Sequence, residues 1–218
     1  MVMPMLRLYN DPDSGNSYKV NLLLTQLGID FERIDVDLLG GETRTERFRA
    51  RNPLGQVPFI EMEDGRVLAE SNAILWFLAQ DSTFLPQDRW TRAQVLQWMN
   101  FEQYRIEPNI GSLRFWITML GIGDQRATEI ERRREAGNLA LTILDRHLAR
   151  RSFAAGEFYT IADIALYGYS HLAEEAGYRL DQYSAVTAWF DRIRAQPRHV
   201  PITAEVGRVI PWPESRAS

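Results

Sequence analysis

Residues 52–71 read NPLGQVPFIEMEDGRVLAES. Asp64-Gly65 separates two strand-like runs, 57–63 and 66–69. An Asp-Gly pair between such runs is a strong short-range hairpin signal, because both central positions of the tight turn need positive φ. The two runs are therefore predicted to be antiparallel neighbours. Pro58 suits the start of a strand, since proline has no N–H to give to a ladder. The stretch closes on Glu70-Ser71, where serine is a natural helix N-cap. The apolar body of a helix follows to about Gln80, with Ala73, Ile74, Trp76, Phe77 and Leu78.

Toward the N-terminus, residues 5–10 (MLRLYN) read as a short strand and 11–15 (DPDSG) as loop chemistry. Val20, Leu23, Leu24 and Leu27 fall at i, i+3, i+4 and i+7, one apolar helical stripe. Gly28 is placed to end that helix in a left-handed conformation. Residues 31–36 (FERIDV) alternate apolar and polar, as a half-buried strand does. Strand, helix, strand in this order implies a parallel pair joined by a right-handed crossover. Residues 40–51 (GGETRTERFRAR) are polar with one phenylalanine, a loose helix or an ordered loop. Residues 1–81 thus read βαβ, helix or loop, then ββα: an α/β domain on a mixed four-stranded sheet.

Residues 82–90, within DSTFLPQDRW, read as a linker, and 91–218 as an all-helical bundle domain with helical patterns at 91–120, 125–150, 161–176 and 185–196. Pro108 interrupts the first of these and is expected to kink it. The chain shows no internal repeat.

The bulk numbers exclude several roles. The 218 residues are 45% apolar, enough for a sizeable core, and carry a net charge of -4. That charge argues against a nucleic-acid partner, which needs a concentrated basic face. The run 131–135 (ERRRE) is a solvated helix face. There are no cysteines, hence no disulfide and no protein thiol nucleophile. His147, His171 and His199 are far apart with no metal-ligand spacing. No apolar run approaches the ~18 residues of a membrane span, and the N-terminus lacks the pattern of a signal peptide. A cytoplasmic protein without metal or membrane partner is expected.

Three small sites fall at strand ends along one edge of the predicted sheet. Residues 14–24 read SGNSYKVNLLL, a polar cluster running into a helix. A helix N-terminus has free N–H groups and a partial positive charge, so it favours anions. Asn16 or Ser17 can cap the backbone there, leaving the Ser14 hydroxyl to point across the mouth. A thiolate held there would be stabilised by the dipole and by a donated hydrogen bond. At Val57-Pro58, a cis bond would leave the N–H and C=O of Val57 facing outward, able to pair with an extended peptide. At Glu70-Ser71 a carboxylate beside a helix mouth suits an amino-acid head group bearing both charges. A thiol, a peptide backbone and an α-amino-acid end together describe glutathione.

With these pieces in order, the chain resembles a glutathione transferase over nearly its whole length. The resemblance rests on Ser14-x-Asn16-Ser17-Tyr18-Lys19-Val20, on Asn52-Pro53-Leu54-Gly55-Gln56-Val57-Pro58, on Glu70-Ser71-Asn72-Ala73-Ile74, and on Thr160-Ile161-Ala162-Asp163-Ile164-Ala165. The last is similar to the family's buried capping box, with Asp163 returning a bond to the N–H of Thr160. The resemblance implies a thioredoxin-like N-terminal domain followed by a helical domain, glutathione as co-substrate, and a homodimer. It implies that Ser14, or Asn16 as in nu-like bacterial members, activates the thiol. Val57, with Pro58 cis, would hold the cysteinyl backbone, Glu70 and Ser71 the γ-glutamyl end, and Gln56 would lie near the glycyl carboxylate.

The absence of cysteine sets aside the cysteine-type classes, and Tyr9 sits too early for the tyrosine of mammalian-type classes. A serine-type or nu-like enzyme remains. Its reaction would be attack on a hydrophobic or aromatic electrophile, or reduction of a peroxide or small disulfide; a glutathione-dependent aryl-ether cleavage shares the site. The second substrate is expected near residues 98–116 (WMNFEQYRIEPNIGSLRFW), with Tyr104, Arg105 and Arg114 as candidates. The competing reading is a partner-binding protein that kept the fold without catalysis. The chain end VIPWP is expected to drape over the site or over a partner subunit.

Overall fold

The parallel pair forms as its pattern requires. β1 (Leu6–Asn10) and β2 (Phe31–Asp35) lie side by side with Leu8 opposite Arg33, and α1 (Gly15–Leu27) crosses between them. Gly28, at φ 69°, ends α1, with its N–H on Thr25 and that of Ile29 on Leu24. The computed structural model describes residues 5–212. The chain divides into two units, one running to Leu78 and taken up again from Pro197, the other spanning Ala79–Gln196.

In the first unit α2 (Glu46–Arg49) precedes β3 (Phe59–Met62) and β4 (Val67–Ala69), and α3 (Ser71–Leu78) follows. The hairpin is present, but its turn is not the two-residue type. Only Gly65 takes positive φ, at 83°. Its N–H donates to Met62 (2.8 Å), and the N–H of Met62 donates to Arg66 (2.9 Å). This is a three-residue loop, a type I turn closed by a left-handed glycine. Residues 40–51 resolve into a 3₁₀ turn, Glu42–Arg44, and the short α2, capped by Thr45.

The sheet order is β4-β3-β1-β2-β5, mixed as expected but with five strands rather than four. The fifth, β5 (Arg208–Val209), runs parallel to β2, with Glu32 opposite Arg208. Two residues carry no periodicity, so local sequence gives it no signal. The segment from Pro197 onward belongs to this unit, so the helical unit ends at Gln196 and does not run to the end of the chain as its helical pattern predicts. Trp212 sets its edge on Tyr9 at 4.9 Å and packs with Phe48, beneath the Arg47 guanidinium 4.7 Å away. Tyr9, Ile34, Val36, Phe48 and Phe59 form the core of that sheet face, and the Tyr9 and Phe59 rings stack at 4.0 Å. Leu6, Leu8 and Ile60 are fully buried and, by the pleat, point to the opposite face.

The second unit is helical. Residues 82–90 do not form a free linker: Leu85 is fully buried, and the carbonyl of Phe84 accepts the N–H of Ile161 at 3.0 Å. α4 (Arg89–Phe101) starts inside that stretch, because Asp88 caps it by accepting the Thr91 N–H at 2.8 Å. At Pro108 the helix widens: Glu102–Gly111 and Phe115–Met119 take π geometry on either side of α5 (Ser112–Arg114). Proline removes an N–H from the i→i−4 ladder, and bonds five residues apart, such as Leu120 to Phe115, take over. α6 (Ala127–Leu148), α7 (Ile161–Ser170) and α8 (Ser184–Arg194) complete the bundle. The N-terminus of α8 is capped from α6, by Asp145 accepting from Ala185 and Val186. Among the described residues no helix is long and apolar enough to cross a membrane.

Gly137 on α6 marks a close approach. A Cβ there would fall 2.1 Å from Oη of Tyr178, a hydroxyl bonded to the carbonyls of Asn109 and Arg133. Gly137→Ala gains helix propensity of about 1 kcal/mol but forces the ring out, so a net loss of about 1–2 kcal/mol is expected. A lower urea midpoint checks this; a higher one would mean Tyr178 moves at little cost.

Candidate functional site

The chain leaves β1 through a loop fixed by its own backbone. The carboxyl of Asp11 accepts the N–H of Asp13 at 2.9 Å, and its carbonyl accepts that of Ser14 at 3.1 Å. Burial pushes the Asp11 carboxyl above the ordinary carboxylate range. The N–H of Asp11 donates to Ser17 Oγ, which turns Ser17 inward. Ser14 itself is therefore the N-cap of α1, rather than Asn16 or Ser17: its Oγ accepts the N–H of Ser17 at 3.3 Å. A hydroxyl that accepts keeps its own hydrogen to donate. Ser14 is half-buried.

Asn16, in the first turn of α1, reaches across the sheet edge. Its Oδ1 accepts from Ser71 Oγ at 3.0 Å and from Lys19 Nζ at 2.8 Å. Ser71 is 5% exposed and Lys19 is fully buried. The Asn16–Ser71 bond joins the first turns of α1 and α3, so two helix N-termini converge on one place. Their dipoles add in favour of a negative group.

The start of α3 differs from expectation. Ser71 is the first helical residue, and Glu70 is the cap, its carbonyl accepting the N–H of Ile74 at 2.9 Å. Glu70 holds φ at 70°, unusual for a residue with a side chain, and its carboxylate is exposed. The chain thereby turns sharply out of β4, and the Ser71 hydroxyl is released to bind Asn16.

The Val57–Pro58 peptide bond is cis. The loop before it is braced by the buried Asn52, whose Nδ2 donates to the Gln56 carbonyl at 2.7 Å and whose Oδ1 accepts from the N–H of Leu54 at 3.2 Å. Gly55 within it takes φ 66°. Gln56 is exposed and Val57 half-buried.

Tyr9 does not reach the mouth of α1. It is fully buried, donates to Glu61 Oε2 at 2.7 Å, and burial pushes its hydroxyl well above the usual range. In the helical unit Tyr104 is 76% exposed and Arg105 is exposed. Arg114 is different: it is buried, and its Nε donates to Glu175 Oε2 at 2.7 Å, so it ties α5 to the turn at 173–176. Among the described residues no cluster of His, Cys, Asp and Glu is placed to hold a metal ion.

The family described as glutathione S-transferase, N-terminal domain, matches residues 13–81, and glutathione S-transferase, C-terminal domain, matches 99–197. The chain belongs to the glutathione S-transferase family. The crystal structure of a glutathione S-transferase from Pseudomonas fluorescens Pf-5 is 46% identical, with a TM-score of 0.89 over 91% of this chain and 99% of that one. A glutathione transferase from Pseudomonas putida, solved with one glutathione disulfide per subunit, is 29% identical, with a TM-score of 0.80 over 89% of this chain and 88% of that one. Elongation factor 1-gamma of Artemia salina is 31% identical over 84% of this chain, which spans only 43% of that protein.

In this glutathione S-transferase the matched N-terminal domain contains Ser14, Asn16, Val57, Glu70 and Ser71 together. Two further residues of the region, Lys19 and Asn52, were named in the sequence only as parts of motifs. Lys19 had a legible signal: it is the single basic residue in the run 17–24 (SYKVNLLL), where a helix is about to bury most of its surface. Asn52 had a weaker one, an Asn-Pro pair opening a glycine-containing loop.

Proposed function

We propose that this transferase binds glutathione along the edge formed by 14–16, 56–58 and 70–71, and activates its thiol at the mouth of α1. The thiolate then attacks a hydrophobic or aromatic electrophile, or serves in reduction of a peroxide or small disulfide. The observation that carries this reading is the Asn16–Ser71 hydrogen bond, which brings two helix N-termini together beside the Ser14 hydroxyl. Ser14 and Asn16 are the candidate donors to the sulfur. Val57 pairs with the cysteinyl backbone, Gln56 lies toward the glycyl carboxylate, Glu70 receives the γ-glutamyl ammonium, and Ser71, whose hydroxyl is given to Asn16, meets the γ-glutamyl carboxylate through its backbone N–H. Tyr104 and Arg105 remain candidates for the second substrate. Arg114 is set aside, because Glu175 already occupies its guanidinium. The glutathione disulfide in the Pseudomonas putida relative supports the choice of ligand. We also place the protein in the cytoplasm as a homodimer.

Calorimetric titration with reduced glutathione tests the reading. Saturable one-site binding is expected. No heat up to millimolar glutathione would favour the second reading, a partner-binding protein, to which the elongation factor likeness points. Glu70→Gln is expected to raise the glutathione Kd about tenfold while leaving kcat nearly unchanged, since it removes a charge-assisted bond to the ammonium and touches nothing at the sulfur. An unchanged Kd would take Glu70 out of the site.

A further inference from the structure

The hydrogen bonds of Asn16 decide which of its amide atoms can face a ligand. Lys19 Nζ lies 2.8 Å from Oδ1, and Ser71 Oγ lies 3.0 Å from the same atom. A lysine head carries three donors and no acceptor, so the atom it meets must be an oxygen. A flipped amide would set Nδ2 against Nζ–H, donor against donor. The Oδ1 side is therefore committed, and Nδ2 is turned away from it as a donor. A lysine with no exposed surface is rare, because an ammonium out of water needs hydrogen-bond partners. Lys19 stands three residues after Asn16, on the same face of α1 and one turn deeper, where its position is fixed by packing.

We infer that Lys19 is a positioning residue for thiol activation, holding the Asn16 amide so that Nδ2, and not Oδ1, is presented at the mouth of α1. This rests on the reading of that mouth as the seat of the glutathione thiol. The thiol proton leaves to solvent, and the sulfur keeps its electron pair and accepts N–H from Asn16 and O–H from Ser14. An amide free to rotate would offer a lone pair to the thiolate for part of the time, and that repels it. The buried charge of Lys19 acts in the same sense, since it is close to the site and poorly screened.

The test follows the ultraviolet absorbance of the thiolate of bound glutathione against pH, in the wild type, Lys19→Met and Lys19→Gln. Methionine keeps the unbranched apolar stem of the side chain and gives no donor. Glutamine can present either an oxygen or an amide, so it no longer imposes one orientation. Lys19→Met is expected to raise the pKa of the bound thiol by about one unit, which lowers the thiolate fraction about tenfold at pH values below it. The loss in kcat should shrink as pH rises, and the glutathione Kd should stay within about twofold. A purely structural role would lower activity equally at every pH. Lys19→Gln should shift the same way by a smaller amount, and it decides the matter if Lys19→Met does not fold. A bound-thiol pKa equal to that of the wild type in the folded variant overturns the role of Lys19. If the wild type binds glutathione without lowering its thiol pKa, the reading of the mouth as an activating site fails as well, and this outcome is distinct from the first.

Discussion

Asp163→Ala is expected to destabilise the helical unit by about 3–5 kcal/mol, a large part of the ~5–15 kcal/mol that holds a typical domain. Asp163 is fully buried at the third position of α7 and accepts four hydrogen bonds. The N–H of Ala154 and the indole N–H of Trp189 meet Oδ1 at 2.8 and 3.0 Å. The N–H and hydroxyl of Thr160 meet Oδ2 at 2.9 and 3.1 Å. Alanine leaves all four donors buried without an acceptor, and each such group costs about 1–3 kcal/mol before relaxation. Asp163→Asn should lose less: its oxygen can still serve Ala154 and Trp189, while its amide faces the donors of Thr160. Urea unfolding followed by tryptophan fluorescence measures both. A loss below about 1 kcal/mol for the alanine variant would mean that water enters and satisfies the donors.

The same carboxyl gives a pH signature. Burial pushes it up to about 6 from the ordinary 3.8, against the pull of its four donors. The native state then holds a proton more tightly than the unfolded chain, so the stability this group contributes is largest below about pH 4 and falls as pH rises through about 6. Asp163→Asn has no such slope. The gap in stability between the two proteins should therefore narrow between pH 4 and pH 7.

Much of this was legible because it is local. The stripe Val20, Leu23, Leu24 with Gly28 after it, the alternation at 31–36, and the Asp64-Gly65 turn each fix their own element over a few residues. The capping box at Thr160 and Asp163 is legible for the same reason. What was not legible depends on partners far away in the chain. β5 pairs two residues with a strand some 176 positions earlier, as the Arg208–Glu32 contact shows, and two residues have no period. Ser71 looks like a cap in its own sequence, yet its hydroxyl goes to Asn16, 55 residues upstream, while Glu70 takes the strained cap position. Arg114 lies among aromatics and so reads as a ligand-facing cation, but Glu175, 61 residues on, claims it. Lys19 is the instructive case: a lysine inside a leucine-rich helix marks a buried charge, and only the fold shows what the charge holds.

Ser14→Ala is expected to lower kcat with glutathione about 10²-fold while leaving the glutathione Kd nearly unchanged, by analogy with removal of a single donor from an activated oxyanion or thiolate. The hydroxyl is suited to this because, among the described residues, its side-chain bond is one it accepts, from Ser17 at 3.3 Å, which leaves its hydrogen unspent. The variant also loses the cap of α1, at about 1 kcal/mol, so stability must be measured beside activity to separate the two losses. Asn16→Ala provides the comparison. It removes the Nδ2 donor and also takes the acceptor away from Lys19 and Ser71, so its loss should be at least as large and should come with a weaker grip on the γ-glutamyl end. If Ser14→Ala is fully active and Asn16→Ala is not, the asparagine amide is the donor and Ser14 only caps the helix. If both retain activity, the helix mouth alone lowers the thiol pKa, and the two dipoles meeting at the Asn16–Ser71 bond are sufficient for it.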